Sequence, residues 1–327
     1  MEATRHRLDG LEHDNLLAFL ALLGTLRAIG TADADTIESE RLYPRATWDV
    51  DQPPLRPILC VARSVSRHEL ARRIADGLAL VARFYDFDGR RGLDYPEKEG
   101  REKLEKAASS ASVSNRSYAD LLAALMTDAS VKEQNKERVL EATPLCLLFG
   151  QGHQHFLERM ANVPPMEVPP ARRGRDAHAS AADVVASALF EPWAREDASP
   201  SFRWDPEEDV RYALMAGNPT SPQYKPGTQH GANRLAVAGL STLPTSPVRR
   251  GHRIRPVVPG GMFDGRGFSF AWPVWTAPAT LAAIRAMLSD PRLREPGALD
   301  YLGVDHVVVA RRISVGKFMN FSRARVL

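Results

Sequence analysis

The chain contains little cysteine: Cys60 and Cys146 are its two cysteines among 327 residues. Each lies in an apolar run, so both are expected to be buried, and a framework of disulfides is excluded. This usage suits a reducing compartment, and we expect a cytoplasmic location. Residues 1–10 lack the apolar segment of a secretory signal, and the longest apolar run, residues 16–23, is short for a membrane span. We therefore expect no membrane partner.

Signature motifs for nucleotide hydrolysis, zinc binding and nucleophilic catalysis are also missing. The sequence has no Walker A loop, no GxGxxG after an expected strand, no HExxH, no paired CxxC and no GxSxG. We therefore expect no cofactor, no metal site and no enzymatic activity. One weaker hypothesis stays open, an enzyme in which the carboxylates that follow Trp204 converge with His230.

The chain does have a charge distribution that is sorted by position. Residues 1–209 hold 27 Lys and Arg against 35 Asp and Glu, a net charge of −8. Residues 210–327 hold 16 basic and 5 acidic side chains, a net charge of +11. A basic segment of this size attracts a polyanion, because each neutralised phosphate releases condensed counterions. The alternative is internal, with the basic third packed on the acidic two-thirds.

Hydrophobic periodicity predicts an α+β fold, with a mixed sheet built from N-terminal and C-terminal strands and a largely helical middle. A strongly apolar helix is expected to begin after an N-cap at Asp14 and to end at Gly30. Two further helices are predicted over residues 117–126 and 132–149. We expect an acidic, mainly helical part (1–162), a linker or mobile loop (163–180) and a basic α+β part (181–327). The first and last parts could also form one continuous domain.

Basic residues interleaved with aromatic residues and glycine are the strongest functional signal. Arginine makes bidentate contacts to phosphate, and exposed aromatic rings can stack on bases. At residues 231–234 an expected helix start also offers free backbone N–H groups to an anion. Solvated loops, ordinary capping and core packing are the alternatives for these groups. The candidate nucleic-acid-binding residues are Asn233, Arg234, Arg249, Arg250, Arg253, Arg255, Arg311, Arg312, Lys317 and Asn320.

Four phrases in the chain resemble CRISPR-associated proteins of type I systems. Residues 8–27 (LDGLEHDNLLAFLALLGTLR) resemble the opening of such proteins, with the type I-G group (formerly I-U) nearest in texture. Residues 201–214 (SFRWDPEEDVRYAL), 231–236 (GANRLA) and 313–321 (ISVGKFMNF) resemble a family of about this length found with type I-G loci. Members of that family stand alone or extend the helicase–nuclease. Residues 86–145 do not match it, so the role of that segment is left open.

The resemblance implies a non-catalytic nucleic-acid-binding subunit or accessory of an RNA-guided antiviral interference complex. Its partners would be nucleic acid, either crRNA or target DNA, together with other effector subunits or the helicase–nuclease. The alternative is a protein–protein adaptor that links the effector complex to the helicase–nuclease and never touches nucleic acid. The charge distribution suits either partner, a phosphate backbone or an acidic protein surface.

Overall fold

The computed structural model describes residues 4–112, 116–150, 153–171, 176–208, 227–315 and 318–327. The predicted α+β class is confirmed, since this part of the chain contains eight α-helices and several antiparallel sheets. The helices are α1 (Leu16–Ala34), α2 (Arg67–Ala82), α3 (Glu97–Ser109), α4 (Arg116–Leu125), α5 (Phe156–Asn162), α6 (Ala181–Phe190), α7 (His230–Leu240) and α8 (Leu281–Ser289). The strands are β1 (Thr4–Arg7), β2 (Arg45–Asp49), β3 (Arg56–Val61), β4 (Met126–Gln134), β5 (Glu137–Ala142), β6 (Ser246–Arg250), β7 (Arg253–Val257), β8 (Gly261–Asp264), β9 (Gly267–Trp275), β10 (Val304–Val315), β11 (Phe318–Phe321) and β12 (Arg325–Val326).

Helix α1 is the central element of the core, as its nearly all-round apolar sequence predicts. Its N-cap is Asn15 rather than the expected Asp14, and Asn15 Oδ1 accepts from the backbone N–H of Leu17 at 2.9 Å. The helix also continues past Gly30 to Ala34. By length and composition α1 could span a membrane, but 83% of its apolar window is buried inside the fold. Burial of that extent is typical of the core helix of a soluble protein.

Close packing around α1 depends on glycines at helix crossings. A Cβ on Gly24 would lie 1.7 Å from the Leu235 carbonyl oxygen of α7, and one on Gly239 would lie 2.0 Å from that of Leu20. Helix α2 approaches α1 in the same way, with Gly77 against Ala28. The absence of a side chain at these positions lets the backbones of the three helices touch.

The strands at the two ends of the chain form separate antiparallel sheets rather than the one mixed sheet predicted. The N-terminal sheet has the order β1-β3-β2, and the C-terminal sheet has the order β11-β10-β9-β8 with β12 also paired to β10. A bridge between Ala46 and Ala279 connects the two regions, and the Trp275 indole N–H donates to the Ala46 carbonyl at 2.7 Å. The expected contribution of both ends is therefore present, but as two adjoining sheets.

The predicted helix over residues 132–149 is wrong, because β4 and β5 form an antiparallel hairpin there. The turn places Asn135 and Lys136 at positive φ, 52° and 67°. Two successive positive φ values belong to the type I′ turn, whose twist matches that of the paired strands. Lysine occupies the second position of this turn, where glycine is the usual residue, so the sequence does not indicate a turn there.

The linker prediction covers residues 163–180, of which 163–171 and 176–180 are described. Two side chains of α7 hold its first part in place: the Arg234 Nε donates to the Pro164 carbonyl at 3.0 Å, and His230 Nε2 lies 2.6 Å from that of Met166. One apolar core includes side chains from both sides of this segment, among them Leu20 and Leu235. The division into two parts stays a prediction.

Candidate nucleic-acid interface

Strands β6 and β7 form a two-stranded hairpin that carries a basic cluster of predicted residues, Arg249, Arg250, Arg253 and Arg255. Its turn places Gly251 at φ 60°, the glycine-first pattern of a type II′ turn. The register pairs Arg250 with Arg253 and Val248 with Arg255. Directly paired residues share one face of a hairpin, so the side chains of these four residues line the same face.

The arginines nearest the turn have no side-chain partner in the part of the chain that the structure describes. Arg249, Arg250 and Arg253 are exposed, and none of them forms an ion pair or side-chain hydrogen bond within the described ranges. Arg250 and Arg253 lie directly opposite each other, so their positive charges repel across the strand pair. An anion bound between them would relieve that repulsion.

The fourth arginine of the cluster is joined to an aromatic group. The Arg255 guanidinium carbon lies 4.9 Å from the centre of the Phe263 ring in β8. Phe263 packs on Phe268 with ring centres 5.1 Å apart, and the Arg312 guanidinium lies 5.6 Å from the Phe268 ring. The fold thus brings Arg255 and Arg312 to one aromatic pair, a contact stabilised by the negative faces of the rings.

Arg311 and Arg312 have partners inside the chain. Arg311 forms an ion pair with Asp264 at 2.9 Å and is partly exposed. Arg312 donates to the Pro144 carbonyl at 3.2 Å, and burial lowers the pKa of its guanidinium. Internal contacts position both side chains, in contrast to the arginines nearest the hairpin turn.

Arg234 and Asn233 are buried in α7. Arg234 is 1% exposed, donates to the carbonyls of Pro164 and Glu167, and has its pKa lowered to about 10 by desolvation. The N-terminus of α7 is also occupied, because the His230 backbone N–H donates to an Asp197 carboxylate oxygen at 2.8 Å. In this arrangement the anion at the helix start is a side chain of the protein itself. Neither residue is presented to a phosphate in solvent.

The last two candidates do not join the hairpin. Asn320 is 1% exposed, and its Oδ1 accepts from the Phe321 backbone N–H at 2.8 Å. Lys317 lies outside the described residues. The nine predicted residues that the structure describes therefore divide into a hairpin group, a pair held by internal contacts and a buried group.

Part of the basic segment neutralises the acidic one, as the internal alternative expects. The Arg323 guanidinium forms ion pairs with Glu12 at 3.0 Å, Asp14 at 2.8 Å and Glu207 at 2.8 Å. All three carboxylates belong to residues 1–209. Both interpretations of the charge distribution thus have a structural counterpart, one at Arg323 and the other at the hairpin.

The described carboxylates proposed for an enzymatic site each have a partner other than His230. Asp205 pairs with Arg195 at 2.6 Å, Glu207 pairs with Arg323, and Glu208 accepts from the Ser201 hydroxyl at 2.7 Å. None of these carboxylates makes a hydrogen bond or ion pair with His230, whose ring contacts Ser199 and Met166. The remaining part of that hypothesis, residues 209–214, lies outside the described residues.

Metal binding has no support in the described ranges, where no three His, Cys, Asp or Glu side chains are grouped to hold an ion. Cys146 is buried, with the pKa of its thiol raised to about 12, and Cys60 is also buried. Neither thiol is therefore suited to bind a metal or act as a nucleophile at neutral pH.

Sequence reasoning missed Phe263, the ring beneath Arg255. Its one sequence signal is its position just beyond Gly260-Gly261, which follow the arginines at residues 249–255. The pairing of β8 with β9, which positions Phe263 against Phe268, could not be deduced from local sequence.

No family model, curated protein or solved structure matches this chain.

Proposed function

We propose that this protein is a non-catalytic, cytoplasmic nucleic-acid-binding component of a CRISPR type I-G-like interference assembly. The observation that supports nucleic-acid binding is the β6–β7 hairpin, which exposes Arg249, Arg250 and Arg253 without counter-ions among the described residues. Guanidinium groups of this kind pair bidentately with phosphate. The assignment to an interference assembly is supported by the four sequence phrases that resemble type I proteins.

Binding measured across a salt series tests the phosphate contacts. If the three exposed arginines each neutralise one phosphate, the logarithm of affinity should fall with the logarithm of salt at a slope of about −2 to −3. Single-stranded RNA, single-stranded DNA and duplex DNA of the same sequence should be compared by fluorescence anisotropy. Absent binding, or binding that does not depend on salt, would contradict direct phosphate contact.

A matched pair of double variants assigns that binding to the hairpin. We expect Arg250→Gln with Arg253→Gln to weaken binding about tenfold or more and to make the salt slope shallower by about two. Arg285→Gln with Arg325→Gln is the control, because both arginines are exposed, lack ion pairs among the described residues and give the same change in net charge. Equal losses in the two double variants would mean that net charge alone, rather than the hairpin, governs binding.

The second candidate function is a protein–protein adaptor, favoured by apolar groups beside the arginines. Val248 is 47% exposed and Met262 is 39% exposed, and both line a cavity of about 310 Å³ between the hairpin and the end of α8. Exposed apolar side chains rimmed by charge are common at protein interfaces. Charge reversal at Arg250 and Arg253 distinguishes the candidates: lost assembly with the helicase–nuclease but intact nucleic-acid affinity would favour the adaptor.

A further inference from the structure

A second and larger cavity lies on another part of the molecule. Its volume is about 1180 Å³, and its walls come from α1, α2 and α4 together with the starts of β2 and α8. Small-molecule sites commonly have volumes of about 300–1,000 Å³, so this cleft has room for an organic ligand with its water. None of the described residues that were singled out for nucleic-acid binding lines it.

Three arginines contribute to the walls of this cleft. Arg27 of α1 has a side chain that is 12% exposed, and its Nε has no hydrogen-bond partner among the described residues. Its terminal nitrogen lies 3.6 Å from an Asp120 carboxylate oxygen, and that carboxylate also receives a 2.9 Å contact from Arg116. A buried guanidinium with an unused donor is costly. Because Nε itself is buried, an entering anion would contact the exposed part of the Arg27 side chain and stabilise its charge there.

The other two cations are open to solvent. Arg45 at the start of β2 and Arg83 at the end of α2 are exposed, and neither forms an ion pair in the described part of the chain. The cleft therefore offers one inner and two outer guanidinium groups. Because the planar guanidinium matches phosphate oxygens in pairs, this set suits a phosphate better than an isolated halide or a small cation.

The remaining walls are apolar, aromatic and acidic. Leu80, Phe84 and Leu281 supply partly buried apolar surface, and the Tyr43 ring is 46% exposed at the rim. Asp35 also lines the cleft. Aromatic rings and apolar walls hold a planar ring, while carboxylates accept hydrogen bonds from amino or hydroxyl groups.

We propose that this cleft binds a nucleoside phosphate, with its phosphate on the arginines and its ring against Leu80, Phe84 and Leu281. A nucleoside phosphate combines the anion, the planar ring and the hydrogen-bond donors that these walls complement. The site is separate from the arginine hairpin, so the two proposals succeed or fail independently.

Gly30 gives a direct way to close the cleft. It is exposed in the second half of α1 and lines the cavity, and a Cβ placed there meets no atom within 4 Å. Gly30→Trp should fill the space without forcing the backbone to move. Gly265→Trp is the matched control, because Gly265 is equally open and lies outside the cleft.

The experiment titrates trinitrophenyl-AMP by fluorescence and displaces it with AMP, adenosine or inorganic phosphate. We expect saturable binding to the wild type and to Gly265→Trp, and at least tenfold weaker binding to Gly30→Trp. AMP should displace the probe at least tenfold better than adenosine or phosphate alone. Unchanged binding to Gly30→Trp, or displacement by inorganic phosphate as strong as that by AMP, would overturn the proposal.

Charge removal provides the second arm. Arg27→Gln should weaken probe binding about tenfold, and the exposed Arg83→Gln should do so with an unchanged unfolding midpoint, which guards against misfolding of the inner variant. Wild-type affinity in Arg83→Gln and Arg45→Gln together would reject the phosphate assignment. The hairpin double variant Arg250→Gln with Arg253→Gln should bind the probe as the wild type does, which separates this site from the proposed function.

Discussion

Burial separates arginines that local sequence cannot tell apart. Arg234 and Arg250 both lie close to a glycine in the sequence, yet Arg234 is buried on carbonyls of a loop about 70 positions earlier while Arg250 is exposed in a hairpin. The sequence reveals the type and sign of each side chain. The partners of Arg234 become known only when α7 is packed against residues 163–167.

Arg234→Ala should therefore behave as a structural variant. We expect a loss of about 2–4 kcal/mol of unfolding free energy, because the carbonyls of Pro164 and Glu167 lose their donor and a cavity remains. Urea unfolding measures the loss, with Arg250→Ala as a control that should change stability by less than about 0.5 kcal/mol. Reduced nucleic-acid affinity in Arg234→Ala at unchanged stability would instead support the prediction that Arg234 contacts phosphate.

His230 and Glu208 should give the protein an opposed pair of pH responses. Desolvation lowers the pKa of His230 to about 4 from 6.5, and its ring lies between the Ser199 hydroxyl and the Met166 carbonyl. In the unfolded chain His230 binds the proton more tightly than in the folded one. The contribution of neutral His230 to the free energy of unfolding is therefore complete above pH 6.5 and is lost as pH falls toward 4. Desolvation and the charge of Asp205 raise the pKa of Glu208 to about 7 from 4.5, so its contribution is complete below pH 4.5 and is lost as pH rises through 7.

Removing the carboxyl charge tests this pair. Glu208→Gln should be more stable than the wild type at pH 8, by about 1–3 kcal/mol, and equal to it near pH 4. Without the opposing response of Glu208, the variant should also lose stability more steeply between pH 6.5 and pH 4. Unfolding midpoints in urea across this range provide the measurement, and a constant difference at every pH would contradict it.

At the scale of elements, the crossing of α1 and α7 depends on two glycines that face each other's helices. Gly239→Ala should destabilise the protein by about 2–4 kcal/mol, since its Cβ would lie 2.0 Å from the Leu20 carbonyl oxygen. Gly30→Ala in α1 is the matched control, where the open surroundings should leave only the helix-propensity gain of about 0.5–1 kcal/mol. Opposite signs in thermal unfolding are expected; two stabilising changes would mean that the helices can separate at little cost.

The same scale shows what could be predicted from sequence. Helix α1 has strong apolar periodicity and forms where it is predicted, although it runs on to Ala34, and the helix predicted over residues 117–126 is α4 (Arg116–Leu125). The hairpin of β4 and β5 could not be predicted, because Asn135 and Lys136 do not provide the glycine that usually marks a type I′ turn. The site on the β6–β7 hairpin was partly predictable, since its arginines all lie within residues 249–255, whereas Phe263 reaches it only through strand pairing.

At the scale of the whole molecule, the basic side chains of residues 210–327 include both ion-paired and exposed arginines. Arg323 neutralises three carboxylates of the acidic part, while Arg249, Arg250 and Arg253 remain exposed without ion pairs in the described ranges. A net charge per segment cannot distinguish these uses, because it contains no information on which side chains meet. Whether an arginine is neutralised or left exposed depends on the positions of the carboxylates around it.

The two uses of charge should separate in one pair of variants. Arg323→Gln should lower the unfolding free energy by about 0.5–1.5 kcal/mol at low salt, because Glu12, Asp14 and Glu207 would repel one another without their shared cation. Screening should make this loss smaller at high salt. The same variant should keep nucleic-acid affinity within about twofold. Arg250→Gln with Arg253→Gln should do the reverse, leaving stability unchanged or slightly higher because two opposed like charges are gone, while affinity falls about tenfold. Urea unfolding and anisotropy on the same samples give both readouts, and a loss of affinity in Arg323→Gln equal to that in the hairpin variant would mean that one continuous basic surface binds the polyanion.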